Sequence, residues 1–217
     1  MLQPSKFESP VFTASCKGTV AGTVGRFHNT KMVRNRPHTL HTWRVVTTSQ
    51  LTADRVAQLL GGHVEQSPRR DEIEILTTSS AVGILLSGAN ALYIDWQRDD
   101  GSTCDGVAEV NRQPCICPVA LEQRRVAAKL GYGCQPRAAV RFRFRDDQMA
   151  GVFGFVSDDW SFVELIATAQ ATLSSRNAGR PVRALLELRR SLHTLHSGVL
   201  LPYTRPIINF CIELAGP

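Results

Sequence analysis

Ala138-Ala139-Val140-Arg141-Phe142-Arg143-Phe144-Arg145 is the stretch on which the reading of the fold turns. From Val140 onward, apolar and basic residues alternate without a break. A period of two puts Val140, Phe142 and Phe144 on one face of a strand and Arg141, Arg143 and Arg145 on the other. One face is suited to a core and the other to solvent.

Downstream, residues 152–156 read as a second strand. Ser161 and Glu164 fit a capping box, and Phe162, Leu165, Ile166, Ala169 and Leu173 carry a helical period to about residue 175, ended by Asn177-Ala178-Gly179. Residues 182–195 and 199–214 then read as a hairpin closed near His196-Ser197-Gly198. Pro202 and Pro206 mark its last strand as an edge or bulged strand.

Upstream, Val20, Val24 and Phe27 suggest a first extended piece, and residues 39–48 are rich in β-branched and aromatic types. Thr52 is the expected N-cap of a first helix, with Val56, Leu59 and Leu60 as its apolar stripe and Gly61-Gly62 as its stop. Residues 72–96 read as two or three strands, of which 81–86 should be buried on both faces, with a turn at Gly88-Ala89-Asn90. These elements predict an α+β fold: a twisted antiparallel sheet with two principal helices, 52–60 and 161–175, and a small cysteine-rich insert. Residues 1–98 and 137–217 are expected to form the two parts of one core, and residues 99–136 the insert.

The insert carries Cys104, Cys115, Cys117 and Cys134 in the pattern C-x10-C-x-C-x16-C, each at or near a glycine or proline. Such turns let several thiolates converge on one point, as tetrahedral zinc requires. Apart from a short helix over 120–130, the segment has little hydrophobic periodicity, so something other than a core must organise it. Disulfides and inert buried thiols are the competing readings. Residues 1–10 lack an apolar segment after a basic start, so no signal peptide is expected, and a cytoplasmic chain rarely keeps disulfides. Structural zinc is therefore preferred. Cys16 and Cys211 read as small packing residues.

A chain of 217 residues is long enough for one sizeable core with a metal-stapled insert. It contains no run of eighteen apolar residues, so a soluble protein without a membrane span is expected. The formal charge of +6 admits an acidic partner, although no long basic run concentrates it. The sequence contains no H-E-x-x-H, phosphate loop, nucleophile elbow or paired-carboxylate motif, so a binding protein is expected rather than an enzyme. Asp158-Asp159 reads as a pair of helix-start acids.

An ordered set of short motifs then points to a family. Gly25-Arg26-Phe27, Trp43-Arg44-Val45 with Thr47, Leu59-Leu60-Gly61-Gly62, Cys104-Asp105-Gly106, Cys115-Ile116-Cys117-Pro118, Gly133-Cys134-Gln135-Pro136 and Gly151-Val152-Phe153 occur in this order. Spanning about Gly18 to Ile208, they resemble the recombination directionality factors that accompany large serine integrases in temperate phages and prophages of actinobacteria. The resemblance implies a protein of the bacterial cytoplasm that binds a serine integrase near its coiled-coil insert and redirects it from attP with attB to attL with attR. It would reach DNA indirectly, through the integrase. A nearly complete reversal requires binding one coiled-coil arrangement more tightly than the other by about 5.5 kcal/mol.

The edge hairpin around Leu200, Leu201 and Tyr203 is the candidate docking surface, because unpaired strand edges and apolar tips invite partners. The alternative is a nucleic-acid-binding accessory protein of phage replication, using Arg141, Arg143 and Arg145 on a basic strand face near Phe27 or Trp43. A hydrolase or nuclease ranks below both.

Overall fold

The computed structural model describes residues 22–34, 36–67, 71–98, 103–106, 108, 114–115, 117–176, 181–194, 198 and 200–210. Cys16, Val20, Cys211, the helix stop at 177–179 and the hairpin closure at 195–197 lie outside the described residues.

Eleven strands are described: β1 (Gly25–Val33), β2 (Arg36–Thr47), β3 (His63–Gln66), β4 (Ile73–Leu76), β5 (Ala81–Leu86), β6 (Leu92–Gln97), β7 (Thr103–Cys104), β8 (Gln135–Phe144), β9 (Phe153–Ser157), β10 (Val182–Thr194) and β11 (Leu200–Phe210). Three helices accompany them: α1 (Gln50–Leu60), α2 (Leu121–Lys129) and α3 (Trp160–Arg176). The strands run β11-β10-β5-β8-β9-β1-β2-β4-β3, and β6 with β7 adds to β8. No described helix is long and apolar enough to cross a membrane.

The decisive strand behaves as its alternation requires. Ala138, Val140, Phe142 and Phe144 are buried on the inner face of β8, while Arg143 is exposed on the outer face. Inside, Phe27 meets Phe142 at a ring-centroid distance of 5.2 Å, Trp43 meets Phe155 at 5.2 Å, and Phe155 meets Phe162 of α3 at 5.3 Å. These are edge-on contacts that the ring quadrupole favours. The residues linking β4 to β5 join the far ends of the sheet: Thr77 N donates to the Trp43 carbonyl at 2.9 Å and Leu188 N to that of Ser80 at 2.8 Å.

Several expectations need correction. The sheet is mixed, because β1 runs parallel to β9, pairing Gly25 with Phe153 and Phe27 with Phe155. Strands so far apart in sequence are brought together by packing, which local alternation does not encode. The short helix expected in the cysteine segment is present as α2, so three helices are described. Strand β5 alternates rather than being buried throughout: Val82, Ile84 and Leu86 face the core, and Arg145 lies over Gly83 on the other face.

Both expected helix caps shift upstream to the residue whose side chain reaches the free N–H groups. Ser49 caps α1, accepting from Thr52 N at 3.3 Å, so Thr52 lies inside the first turn. Asp159 caps α3, its Oδ1 accepting from Ser161 N at 2.8 Å and Phe162 N at 3.2 Å, and its charge complements the helix N-terminus. The stop at Gly61-Gly62 holds: both have positive φ, and a Cβ on Gly62 would lie 2.0 Å from the Leu76 carbonyl oxygen.

Candidate functional site

Cys104 ends β7, where it pairs across from Trp96 of β6, while Cys134 immediately precedes β8. The C-terminal turn of α2 sets the position of Cys134. Leu130 ends the helix, Gly131 turns with φ +80°, and the Tyr132 and Gly133 amides both donate to the Ala127 carbonyl. A Cβ on Gly133 would lie 2.8 Å from the Ala127 carbonyl carbon and the Ala128 nitrogen, so only glycine brings the chain this close to the helix.

The Sγ atoms of Cys104, Cys115 and Cys134 all lie within 4.8 Å of one another, and those of Cys104 and Cys115 are each 3.9 Å from that of Cys134. A disulfide needs about 2.05 Å between sulfurs, and all four cysteines of the segment are free thiols. Four sulfurs at 2.3 Å from a tetrahedral zinc would be about 3.8 Å apart. The three thiols therefore have the spacing of a set that could hold a metal ion. Cys117 stands outside this mutual group but beside it, its Sγ accepting from Cys134 N at 3.2 Å. The expected four-thiol set thus comes together as three converging thiols with the fourth on the flank.

Burial pushes the Cys104 thiol up, and it pushes that of Cys134 up strongly. At Cys115 burial acts in the same direction. There, however, the Cys117 amide and the thiols of Cys104, Cys117 and Cys134 together outweigh it and hold the thiol below its ordinary value. The cluster thus favours a thiolate at Cys115 and resists charge at Cys104 and Cys134 unless a cation is present to share it.

Sequence reasoning missed Arg124. This buried side chain from α2 donates from Nε to the Pro118 carbonyl at 2.6 Å and from Nη2 to the Gly106 carbonyl, and it packs over Trp96. It links the loops after Cys104 and Cys117 to the helix before Cys134. Its only sequence signal is a basic residue in a short helix, which ordinarily means a solvated one.

The three arginines of the basic strand do not act alike. Arg145 pairs with Asp146 at 2.8 Å, Arg143 donates to the Gln148 carbonyl at 2.9 Å, and Arg141 lies beside the turn at Gly22. The aromatic neighbours expected for them, Phe27 and Trp43, are buried on the opposite face. Alternation sends the two faces of β8 to different surroundings, so nearness in the fold does not mean a shared surface. The aromatic residue on the arginine face is Tyr93 of β6, opposite Ala139.

The hairpin β10–β11 also departs from expectation. Strand β5 pairs with β10 only over residues 182–187, and beyond that point the hairpin continues as a two-stranded arm with β11 at its edge. Leu200 and Tyr203 are an odd number of residues apart and so lie on opposite faces. Leu200 instead shares a face with Leu192 and Pro202, and Leu192 and Leu200 are 66% and 56% exposed. Leu201 is opposite His193 in the backbone register, and its side chain lies outside the described residues. A second exposed apolar stripe runs along the α2 region through Val119, Val126 and Leu130.

A family model described as Gp3-like, recombination directionality factor-like, matches residues 18–199. No solved structure matches this chain.

Proposed function

This chain belongs to the recombination directionality factor-like family, and we propose that it binds a serine integrase and turns it from integration, attP with attB, to excision, attL with attR. The family membership carries the reading. The role implies a recombinase partner and a protein interface, so the chain would act by binding rather than by cutting or joining DNA itself. The switch is a population shift: the factor stabilises one arrangement of the integrase coiled coils over the other, and about 5.5 kcal/mol of differential binding would make it nearly complete.

The docking surface we assign is the arm face of Leu192, Leu200 and Pro202. It lies beyond the Arg190–Thr204 pair that ends the core stripe, and beside an edge strand, so it offers side-chain and main-chain contacts together. We further propose that the cysteine cluster holds one structural zinc, with Cys104, Cys115 and Cys134 as ligands and Cys117 as the fourth. Zinc would supply the cation that the buried thiols need and would staple a segment poor in apolar periodicity.

The test uses the purified protein with the serine integrase encoded nearest to its gene. Added protein should raise attL by attR recombination and suppress attP by attB, with no strand cleavage when the integrase is omitted. Unchanged yields in both directions, with no co-purification of the two proteins, would overturn the reading.

A further inference from the structure

The outer face of β6 and β8 carries Arg137, Arg141 and Arg143; the carboxylate of Asp95, opposite Arg137 in the register, offsets charge at one end, and the excess lies at Arg141 and Arg143. On neighbouring strands of that face, Arg26 bonds Glu72 at 2.6 Å, Arg44 bonds Glu74 at 2.9 Å, and Arg145 bonds Asp146. No carboxylate among the described residues comes within ion-pairing distance of Arg137, Arg141 or Arg143. Strand geometry places residues two apart about 6.7 Å from one another, so these guanidinium groups form a spaced row along one strand.

Tyr93 lies beside this row. It pairs opposite Ala139, between the positions of Arg137 and Arg141, while β9 places Gly154 opposite Arg141. Alanine and glycine keep the face low beside the ring. Burial, with the neighbouring charge of Asp95, pushes the Tyr93 phenol up to about 12, so the ring stays neutral at physiological pH. Next to Arg141 and Arg143 opens a cleft of about 350 Å³, lined also by Ser87, Asn90, Gln148 and Leu85 and, among the described residues, by no carboxylate.

We propose that this face binds single-stranded nucleic acid directly: Arg141 and Arg143 take backbone phosphates at the cleft, and a base stacks on Tyr93. Guanidinium forks suit phosphate oxygens, and an aromatic ring on an open sheet face accepts any unpaired base. A paired base cannot reach the ring, so single strands are preferred to duplex. This contact is separate from binding the integrase and does not depend on it.

The experiment is fluorescence anisotropy of the full chain with a labelled oligothymidylate longer than the ~16 nucleotides of a large single-strand site, over a salt series. R141Q/R143Q should weaken binding about tenfold or more, since charge-assisted hydrogen bonds are lost. It should also flatten the slope of log K against log salt by about 1.4, the contribution of two phosphates. Y93L should weaken binding about fivefold or more and leave the slope unchanged, while Y93F retains the ring and the affinity. R34Q/K129Q removes the same charge from elsewhere on the surface and should stay near wild type. The proposal is overturned by no binding of the wild-type chain, by an equal loss in R34Q/K129Q, or by duplex binding as tightly as single strand. Circular dichroism of each variant separates lost contacts from lost fold.

Discussion

The guanidinium carbon of Arg124 lies 4.5 Å from the centre of the Trp96 ring, and the same group donates to the carbonyls of Pro118 and Gly106. One cation thus joins the last core strand before the cysteine segment to two of its loops. Replacing Arg124 by methionine keeps most of the volume but leaves two carbonyls short of a donor and removes the cation over the ring. Urea denaturation should show a loss on the order of 3 kcal/mol, with lysine restoring only part of it. A near-neutral R124M would mean that the loops are held by other contacts.

Metal content is a direct check on the cysteine cluster. Elemental analysis of protein purified without added metal should find about one zinc per chain. In C115S, hydrogen exchange should rise first over residues 103–136 while the aromatic core around Phe27 and Phe155 stays protected. Uniform protection in C115S, together with a wild-type protein free of metal, would reduce the cysteines to packing residues.

Acid sensitivity should trace in part to Glu74. Its carboxylate accepts from Arg44 Nε at 2.9 Å and Nη2 at 3.0 Å, and from Ser67 Oγ at 3.1 Å. The hydrogen bonds from Arg44 hold the carboxyl below its ordinary value of 4.5, against the opposing push of burial. A folded-state pKa below the unfolded one gives stability that is fully present above the unfolded value and is lost as pH falls through the folded one. E74Q should therefore be less stable than wild type at neutral pH by on the order of 2 kcal/mol, and the gap should narrow below about pH 4.5. Equal gaps at pH 7 and in acid would exclude Glu74 as the group responsible.

Loss of the recombination switch should follow from charging the arm. L192D/L200D alters two side chains that are already largely exposed, so thermal stability should change by no more than about 0.5 kcal/mol. The attL by attR stimulation should nevertheless disappear. V126D/L130D on the α2 stripe is the comparison and should keep the switch; the reverse pattern would move the dock to α2.

By itself the sequence determined the local elements. Strict alternation in β8, the glycine stop after α1 and the paired runs of β10 and β11 each reflect a residue's own geometry or its immediate neighbours. The cysteines were legible as a set because several thiols at turns in a segment with little apolar periodicity suggest convergence; that three converge, with Cys117 on the flank, was decided by the fold. Only the tertiary structure decided which surfaces these elements share. It paired β1 with β9 in parallel, turned Phe27 and Trp43 away from the arginine row and put Tyr93 there, divided Leu200 from Tyr203, and buried Arg124 over Trp96. The physical reason is that a period of two or 3.6 fixes the direction of a side chain relative to its own strand or helix. What that side chain meets depends on segments far away in the chain, brought together by burial of the whole aromatic core, and no local pattern specifies it.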